Sequence, residues 1–345
     1  MNIVMALLAL GFLIFIHELG HYWAARATGV RVEEFAVGFG PAIFKHEQNG
    51  IIYRLNWVPL GGYVRMLGED NPEAAAAPDN FNNRPLAARV LVIAAGVIMN
   101  MIGAFLILTL LFNVYGTPEP QLNIANVVAG QPAEKAGLLP GDRVMAINDK
   151  PINENFNVFN EEIRAHENKP VEIEVLRDGK TVELTAVPQK NAQNIVAIGV
   201  EIRPERVYIR SGDFMANTEY AFRHTGEITM MTVDGFKQLI TGAVSFNDLG
   251  GPVEIIRITG QASETGMQHF LYIVALLSVN LAVLNIMPFP ALDGGRLVFL
   301  FLEWIRRGKR VSVEREASIN FIGILCLLTL MVLVTFKDVF KIFTQ

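Results

Sequence analysis

Apolar runs and their interruptions organise this chain. Four stretches stay apolar for about 20 residues, the length an α-helix needs to cross the hydrocarbon core of a bilayer. They run from about Ile3 to Ala25, from about Val90 to Tyr115, from about Phe270 into NIMPFP and on through GGRLVFLFLEWI, and from about Ile319 to Phe336. Between the second and third the pattern changes. From about Leu122 to Arg203 it is one of strands and turns, and VEIEVLRDGKTVELTAV sets two alternating runs around Asp178-Gly179, which predicts a β-hairpin. From Ser211 to Ser263 the spacing is roughly helical, with Phe222, Ile228, Met231, Phe236 and Leu239 as examples. That pattern fits a helix packed on its own domain or one lying on a membrane surface. A further apolar stretch, GIIYRLNWVPLGGYVRML, is too short to span as a helix and predicts a hairpin around Gly61-Gly62. It is either soluble or dips into the bilayer, where non-helical backbone needs protein or a water-filled cavity beside it.

The expected architecture is therefore an α-helical polytopic membrane protein of about four spans, with an inserted β-rich domain and a membrane-associated β-hairpin. Its parts are residues 1–115, 122–203, 204–269 and 270–345. The basic residues refine this picture. Arg26, Arg31, Lys45, Arg54, Arg65, Arg84 and Arg89 lie between the first two runs, and Arg306, Arg307, Lys309, Arg310 and Arg315 between the last two. By the positive-inside rule both loops are cytoplasmic, which puts the β-rich domain and both termini outside. The first run is preceded by MNIVM and followed by its arginines, so it reads as a retained span rather than a cleaved signal peptide. Composition agrees: 51% of the 345 residues are hydrophobic and only 18% charged. A net charge of −5 gives no reason to expect a nucleic-acid partner. Cys326 is the only cysteine, so no internal disulfide forms and any metal is held by His, Asp or Glu.

Ionisable residues inside membrane spans are costly, and they mark functional sites. The first span contains His17-Glu18-Leu19-Gly20-His21, an H-E-x-x-H pattern. On a helix, positions i and i+4 stack on one face, so His17 and His21 can converge on one Zn²⁺. Glu18 stands beside them as the base for a water proton. A catalytic zinc keeps three protein ligands and one open position. Glu303 and Asp338 lie at or near segment ends, where exposure is expected, and His224 and His269 fall in or beside the external region. Asp293 instead sits within the third apolar segment, in NIMPFPALDGG. There Pro288 and Pro290 break the helix, and Gly294-Gly295 permit backbone shapes closed to other residues. Asp293 is the expected third ligand. Asn100 and Asn280 carry the plainer reading of hydrogen bonds between helices.

HELGH in the first span and NIMPFPALDGG in a later one resemble the site-2 protease family of intramembrane zinc metalloproteases. GFGP (Gly38 to Pro41), VPLGGYVRM (Val58 to Met66) and LGGPVEI (Leu249 to Ile255) are similar to the bacterial branch that regulates sigma-E. NVVAGQPAEKAGLLPGDRVMAINDKPI, Asn126 to Ile152, resembles a segment of PDZ domains. Some members of the branch carry two tandem PDZ domains, whereas this chain has room for one.

The resemblance implies a bacterial inner-membrane endopeptidase; His17, Glu18 and His21 fall late in the first span, which places the site toward the cytoplasmic half of the bilayer. It implies single-span substrates already trimmed outside, such as anti-sigma factors or remnant signal peptides. It also implies that Asn285 holds substrate backbone near the metal. Pro288, Pro290, Gly61 and Gly62 are read as further substrate contacts. The PDZ-like domain would bind peptide or substrate termini, or exclude untrimmed substrates by size. Two other classes, a membrane zinc transporter and a non-catalytic PDZ scaffold, also use some of these features.

Overall fold

The computed structural model describes residues 2–68, 77–152, 156–191, 194–244 and 250–344. Leu249, the first residue of LGGPVEI, lies outside them. The chain divides into two compact units, one of residues 1–111 with 214–345 and one of residues 112–213.

Among the described residues four helices are long and apolar enough to cross a membrane, α1 (Asn2–Ala27), α2 (Leu86–Tyr115), α7 (Met267–Ile286) and α9 (Val313–Thr344), and all but the last turn of α2 lies in the first unit. Phe321, Leu325, Leu328, Val332 and Phe336 of α9 are exposed. Such an outward apolar surface suits hydrocarbon rather than water. The third run breaks as its sequence predicts. α7 ends at Ile286, and α8 (Asp293–Ile305) begins at Asp293.

The hairpin differs from its sequence-based expectation. β1 (Val32–Gln48) pairs with β2 (Ile51–Met66), and the turn is Asn49-Gly50, both at positive φ. Gly61-Gly62 lies inside β2. Residues 34–37 have neighbours in two stretches of β2: Phe35 is in register with Val64 in one and with Tyr53 in the other. The stretch 62–66 is paired on one side by β1, and among the described residues no further strand pairs with it. The base of the hairpin packs on α1, where the Phe35 ring meets Phe15 at 5.9 Å and Tyr22 at 5.5 Å between centroids. Its far part is exposed and apolar, with Phe39, Ile43, Phe44, Trp57 and Val58 all outward.

Two acids expected at the surface are buried instead. Glu303 is 8% exposed and takes a two-pronged ion pair from Arg89, at 2.9 and 2.7 Å, with Arg310 beside it. The pair fastens the start of α2 to the end of α8. Asp338 is 5% exposed and accepts hydrogen bonds from the backbone N–H groups of Gly251 (3.0 Å) and Glu254 (3.1 Å). It thereby caps the N-terminus of α6 (Pro252–Thr265) from another helix. In α5 (Phe214–Thr241) the buried side chains are Asn217, Ala221, Thr225 and Ile228, whereas Phe222 and Met231 are exposed. The packed face is therefore largely small and polar, and much of the apolar surface points outward. Thr232 of α5 donates to Asn280 Oδ1 of α7, 2.7 Å away, so Asn280 makes the expected hydrogen bond between helices.

The second unit is β-rich. Its strands are β3 (Thr117–Val127), β4 (Arg143–Ile147), β5 (Lys150–Pro151), β6 (Val171–Arg177), β7 (Lys180–Ala186), β8 (Gln189–Lys190), β9 (Val196–Ala197) and β10 (Val200–Ile209). The main sheet has the order β10-β3-β4-β6-β7, with β5 on β4. Val171, Ile173 and Val175 alternate into a core shared with Leu122, Ile124, Ile147 and Phe159, the last from α4 (Phe156–Ala165). The predicted hairpin is β6–β7, closed by Asp178 (φ 50°) and Gly179 (φ 76°), both in the left-handed region that such two-residue turns require. The short helix α3 (Pro132–Lys135) starts on a proline and gives way to Gly137 at φ 84°.

Asp142 follows the turn into β4 and is 1% exposed. It accepts from the Leu139 N–H at 2.8 Å and takes two bonds from Arg177, both 2.7 Å. Burial opposes its ionisation, but the Arg177 bonds and the Leu139 N–H outweigh it and hold the carboxyl below its ordinary value. The resulting stabilisation is fully present above the unfolded-state pKa, near 3.9, and is lost as pH falls through the folded one. Asp142→Ala should therefore destabilise this unit by about 2–3 kcal/mol at pH 7. Hydrogen exchange of the β4 and β6 amides in the whole protein would measure it, and the gap from wild type should close as pH drops below the carboxylate range. A gap independent of pH would reject the ion pair as its source.

Candidate metal centre

The site lies within the first unit and is assembled from α1, α2, the hairpin and the α7–α8 connection. His17 and His21 stack one turn apart on α1, with ring centroids 4.8 Å apart and Nε2 atoms 3.2 Å apart. Both side chains are buried, at 7% and 8% exposure. Asp293, the first residue of α8, places Oδ2 at 3.1 Å from His17 Nε2 and 3.4 Å from His21 Nε2. That Oδ2 is buried and has no hydrogen-bond partner.

These three separations test whether the residues fit zinc. Ligands at about 2.0–2.1 Å in a tetrahedron stand about 3.3 Å from one another. The observed triangle of 3.2, 3.1 and 3.4 Å matches that edge length. Two neutral imidazoles and one carboxylate are also a donor set that zinc accepts. The fit is good.

The triangle opens onto a cavity of about 360 Å³ lined in part by Glu18, Gly62, Tyr63, Asn285 and Arg296. Glu18 therefore stands beside the triangle. Gly62 lies close against it, since a Cβ at Gly62 would come within 3.0 Å of Glu18 Cγ. Asn285 reaches the same cavity from the end of α7. The other expected contacts do not line it. Pro288 is exposed in the connection, Pro290 packs against Gly323 of α9, and Gly61 lies under the Phe39 ring.

The connection gets its shape differently from the sequence-based expectation. Neither Gly294 nor Gly295 has a positive φ; the residue that does is Ala291, at 75°. The two glycines are required by proximity. A Cβ on Gly294 would lie 2.1 Å from the Met287 carbonyl oxygen, and one on Gly295 2.3 Å from that of Phe289. The chain folds back over the start of α8, and only glycine leaves room. Asn320 of α9 accepts the Ala291 N–H at 3.3 Å and holds the bend.

α2 contributes a face of which only Asn100 stands out in sequence, and it makes the expected hydrogen bonds between helices. Val92, Gly96 and Asn100 recur at four-residue intervals and face the two histidines. The Val92 carbonyl oxygen is 2.8 Å from His21 Nδ1. Gly96 lets the rings in: a Cβ there would lie 2.4 Å from His21 Nε2 and 2.8 Å from His17 Cε1. The Asn100 amide is 3.1 Å from His17 Nδ1. A glycine and an asparagine one turn apart near the middle of the apolar span are the available signal.

Residues 5–330 match the sequence profile of peptidase family M50. A protein of Clostridium acetobutylicum, named provisionally as a zinc metalloprotease, is 34% identical over 340 residues, which are 98% of this chain and 97% of its own. The zinc metalloprotease RasP of Bacillus licheniformis is 30% identical, with 99% of this chain and 100% of RasP covered. The regulator of sigma-W protease RasP of Bacillus subtilis is 29% identical over 99% of both chains. Among solved structures, the PDZ domain of an SdrC-like protein of Listeria monocytogenes aligns with 24% of this chain at 17% identity and a TM-score of 0.22.

Proposed function

The chain belongs to peptidase family M50, and on that premise we propose that it is a zinc endopeptidase of a bacterial membrane whose ligands are His17, His21 and Asp293. The observation that carries this reading is the triangle of Nε2, Nε2 and Oδ2 atoms, spaced as zinc ligands and opening beside Glu18. Held by these three residues, zinc would supply Lewis-acid polarisation of the scissile carbonyl and a lowered pKa for water at the site. Glu18 takes the proton of that water and returns it to the leaving amine nitrogen. Asn285, on the same cavity, holds substrate backbone. A transporter or a scaffold has no use for a carboxylate placed where Glu18 is.

Metal analysis tests the ligand set. Purified wild type should carry about one zinc per chain, and Asp293→Ala should retain almost none after dialysis against a weak chelator. Equal zinc in both would remove Asp293 from the site.

A peptide bond inside an α-helix is closed to attack, because its carbonyl is engaged in the helix ladder. The substrate is therefore held extended, and the stretch Gly62–Met66 is the surface to hold it. It is paired on one side only, and Gly62, Tyr63, Val64 and Met66 line the cavity. Strand addition to such an edge uses backbone hydrogen bonds and so tolerates many sequences. Successive N–H groups on a strand point to opposite sides, so proline at Tyr63 or at Val64 removes one edge donor. One of these two variants should lose cleavage at least about tenfold with zinc retained. Wild-type cleavage by both would exclude this edge.

The substrates proposed are single-span proteins already trimmed outside, anti-sigma factors first and remnant signal peptides second. The exposed apolar hairpin end and the outward apolar surface of α5 suit contact with lipid. The arginine-rich loops support a site in the cytoplasmic half of the bilayer. The β-rich unit would read substrate ends or exclude untrimmed ones.

A further inference from the structure

We propose that Asn100 is the positioning residue for His17, accepting the His17 Nδ1–H through its side-chain oxygen and so fixing the tautomer that leaves Nε2 free for metal. The proposal rests on the zinc reading above and concerns a residue outside the ligand set.

The two histidines are held from α2 by different means. At His21 the partner is the Val92 backbone carbonyl, which can only accept. His21 Nδ1 must therefore carry a proton, and in the neutral ring this leaves the Nε2 lone pair for a metal. At His17 the partner is a side-chain amide, whose two ends are chemically opposite. With the amide nitrogen toward His17, Nδ1 would be an acceptor and the proton would sit on Nε2, where it blocks ligation. In that orientation Asn100 Oδ1 is also left buried without a partner. Turning the amide over exchanges the two atoms in place, a choice that heavy-atom positions alone do not distinguish. Oδ1 then accepts from Nδ1–H, and His17 adopts the same tautomer as His21. A metal-ligating histidine typically donates its other ring N–H in this way, and loss of the acceptor costs about 10–100-fold in metal affinity.

Asn100 is built to hold that position. It is fully buried, and its backbone carbonyl accepts from the Ser278 hydroxyl of α7 at 2.8 Å. It stands two helical turns along α2 from Val92, so one helix face serves both rings. An asparagine placed only to join helices would not need its side chain on the one free nitrogen of a metal-facing imidazole.

The test uses the full-length protein in detergent, with zinc affinity read by competition against a chelator. Asn100→Leu, similar in size and without an acceptor, should weaken zinc binding about 10–100-fold. Asn100→Asp keeps an oxygen that can accept Nδ1–H, and should bind at least as tightly as wild type. Wild-type affinity in Asn100→Leu would overturn the proposal, as would an equal loss in Asn100→Asp. Where Asn100→Leu does not fold, ¹⁵N-histidine spectra of metal-free wild type decide: His17 should carry a proton at Nδ1, and an unprotonated Nδ1 would overturn the proposal. Failure here is distinct from failure of the ligand set. In the first case Asp293→Ala abolishes zinc binding while Asn100→Leu leaves it unchanged; in the second Asp293→Ala changes nothing.

Discussion

Glu18→Gln should lower turnover by about 10²–10⁴-fold, the usual contribution of a positioned general base, and leave zinc in place. Glutamine has the shape of glutamate but cannot take a proton. Glu18 lines the cavity next to the ligand triangle without being one of its three members. The variant therefore separates chemistry from metal binding. Purified Glu18→Gln should match wild type in zinc content and fail to hydrolyse a single-span test substrate. In cells, membrane fractions of the variant should accumulate trimmed, membrane-held stubs, whereas wild type should release the corresponding fragments to the cytosol. Wild-type turnover would remove Glu18 from the chemistry. Zinc lost together with turnover would make it part of the ligand set. Release of fragments to the outside would overturn the proposed orientation.

Gly96→Ala should weaken zinc binding by about 10–100-fold or more, although it adds one methyl group to a residue that bonds to nothing in the site. The new Cβ would sit 2.4 Å from His21 Nε2 and 2.8 Å from His17 Cε1, well inside van der Waals contact. Moving α2 away to relieve the clash would pull the Val92 carbonyl from His21, and turning the rings would break the triangle. Overpacking of this kind costs about 1–3 kcal/mol, too little by itself to dismantle four packed spans. Gly103→Ala is the matched control on the same helix, since its Cβ meets nothing nearer than 3.5 Å. Chelator competition should show near wild-type affinity for Gly103→Ala and a large loss for Gly96→Ala. Equal affinities would mean that the rings do not occupy the face of α2 opposite Gly96.

The parts of this fold that sequence revealed are those with local causes. Long apolar runs mark the spans, the prolines after Ile286 break the third, and Asp178-Gly179 closes the hairpin it predicts. His17, Glu18 and His21 are legible because one helical turn brings them together. Asp293 stood out because acids are rare in apolar segments. What stayed hidden depends on distant partners. Glu303 resembles any acid at a helix end until Arg89, far away in sequence, is seen to neutralise it. Asp338 looks equally ordinary until it meets the N–H groups of α6. The glycines and charges of β1 blur its alternation, so the sequence points to a hairpin at Gly61-Gly62 whereas the turn is at Asn49-Gly50. Gly96 carries no signal in sequence because its meaning comes from the rings it faces, and Asn100 reads only as a hydrogen bond between helices for the same reason. Gly294 and Gly295 were noticed, but their reason is crowding by carbonyl groups rather than backbone freedom.

The three converging atoms come from opposite ends of the polypeptide. His17 and His21 belong to the first span, and Asp293 arrives only after the third has ended. A ribosome making this chain has laid down most of it, including the whole β-rich unit, before the last of the trio exists. Until Asp293 is made, the trio that His17 and His21 begin is one member short. Chain order alone therefore delays assembly of the trio until about five-sixths of the protein has been made.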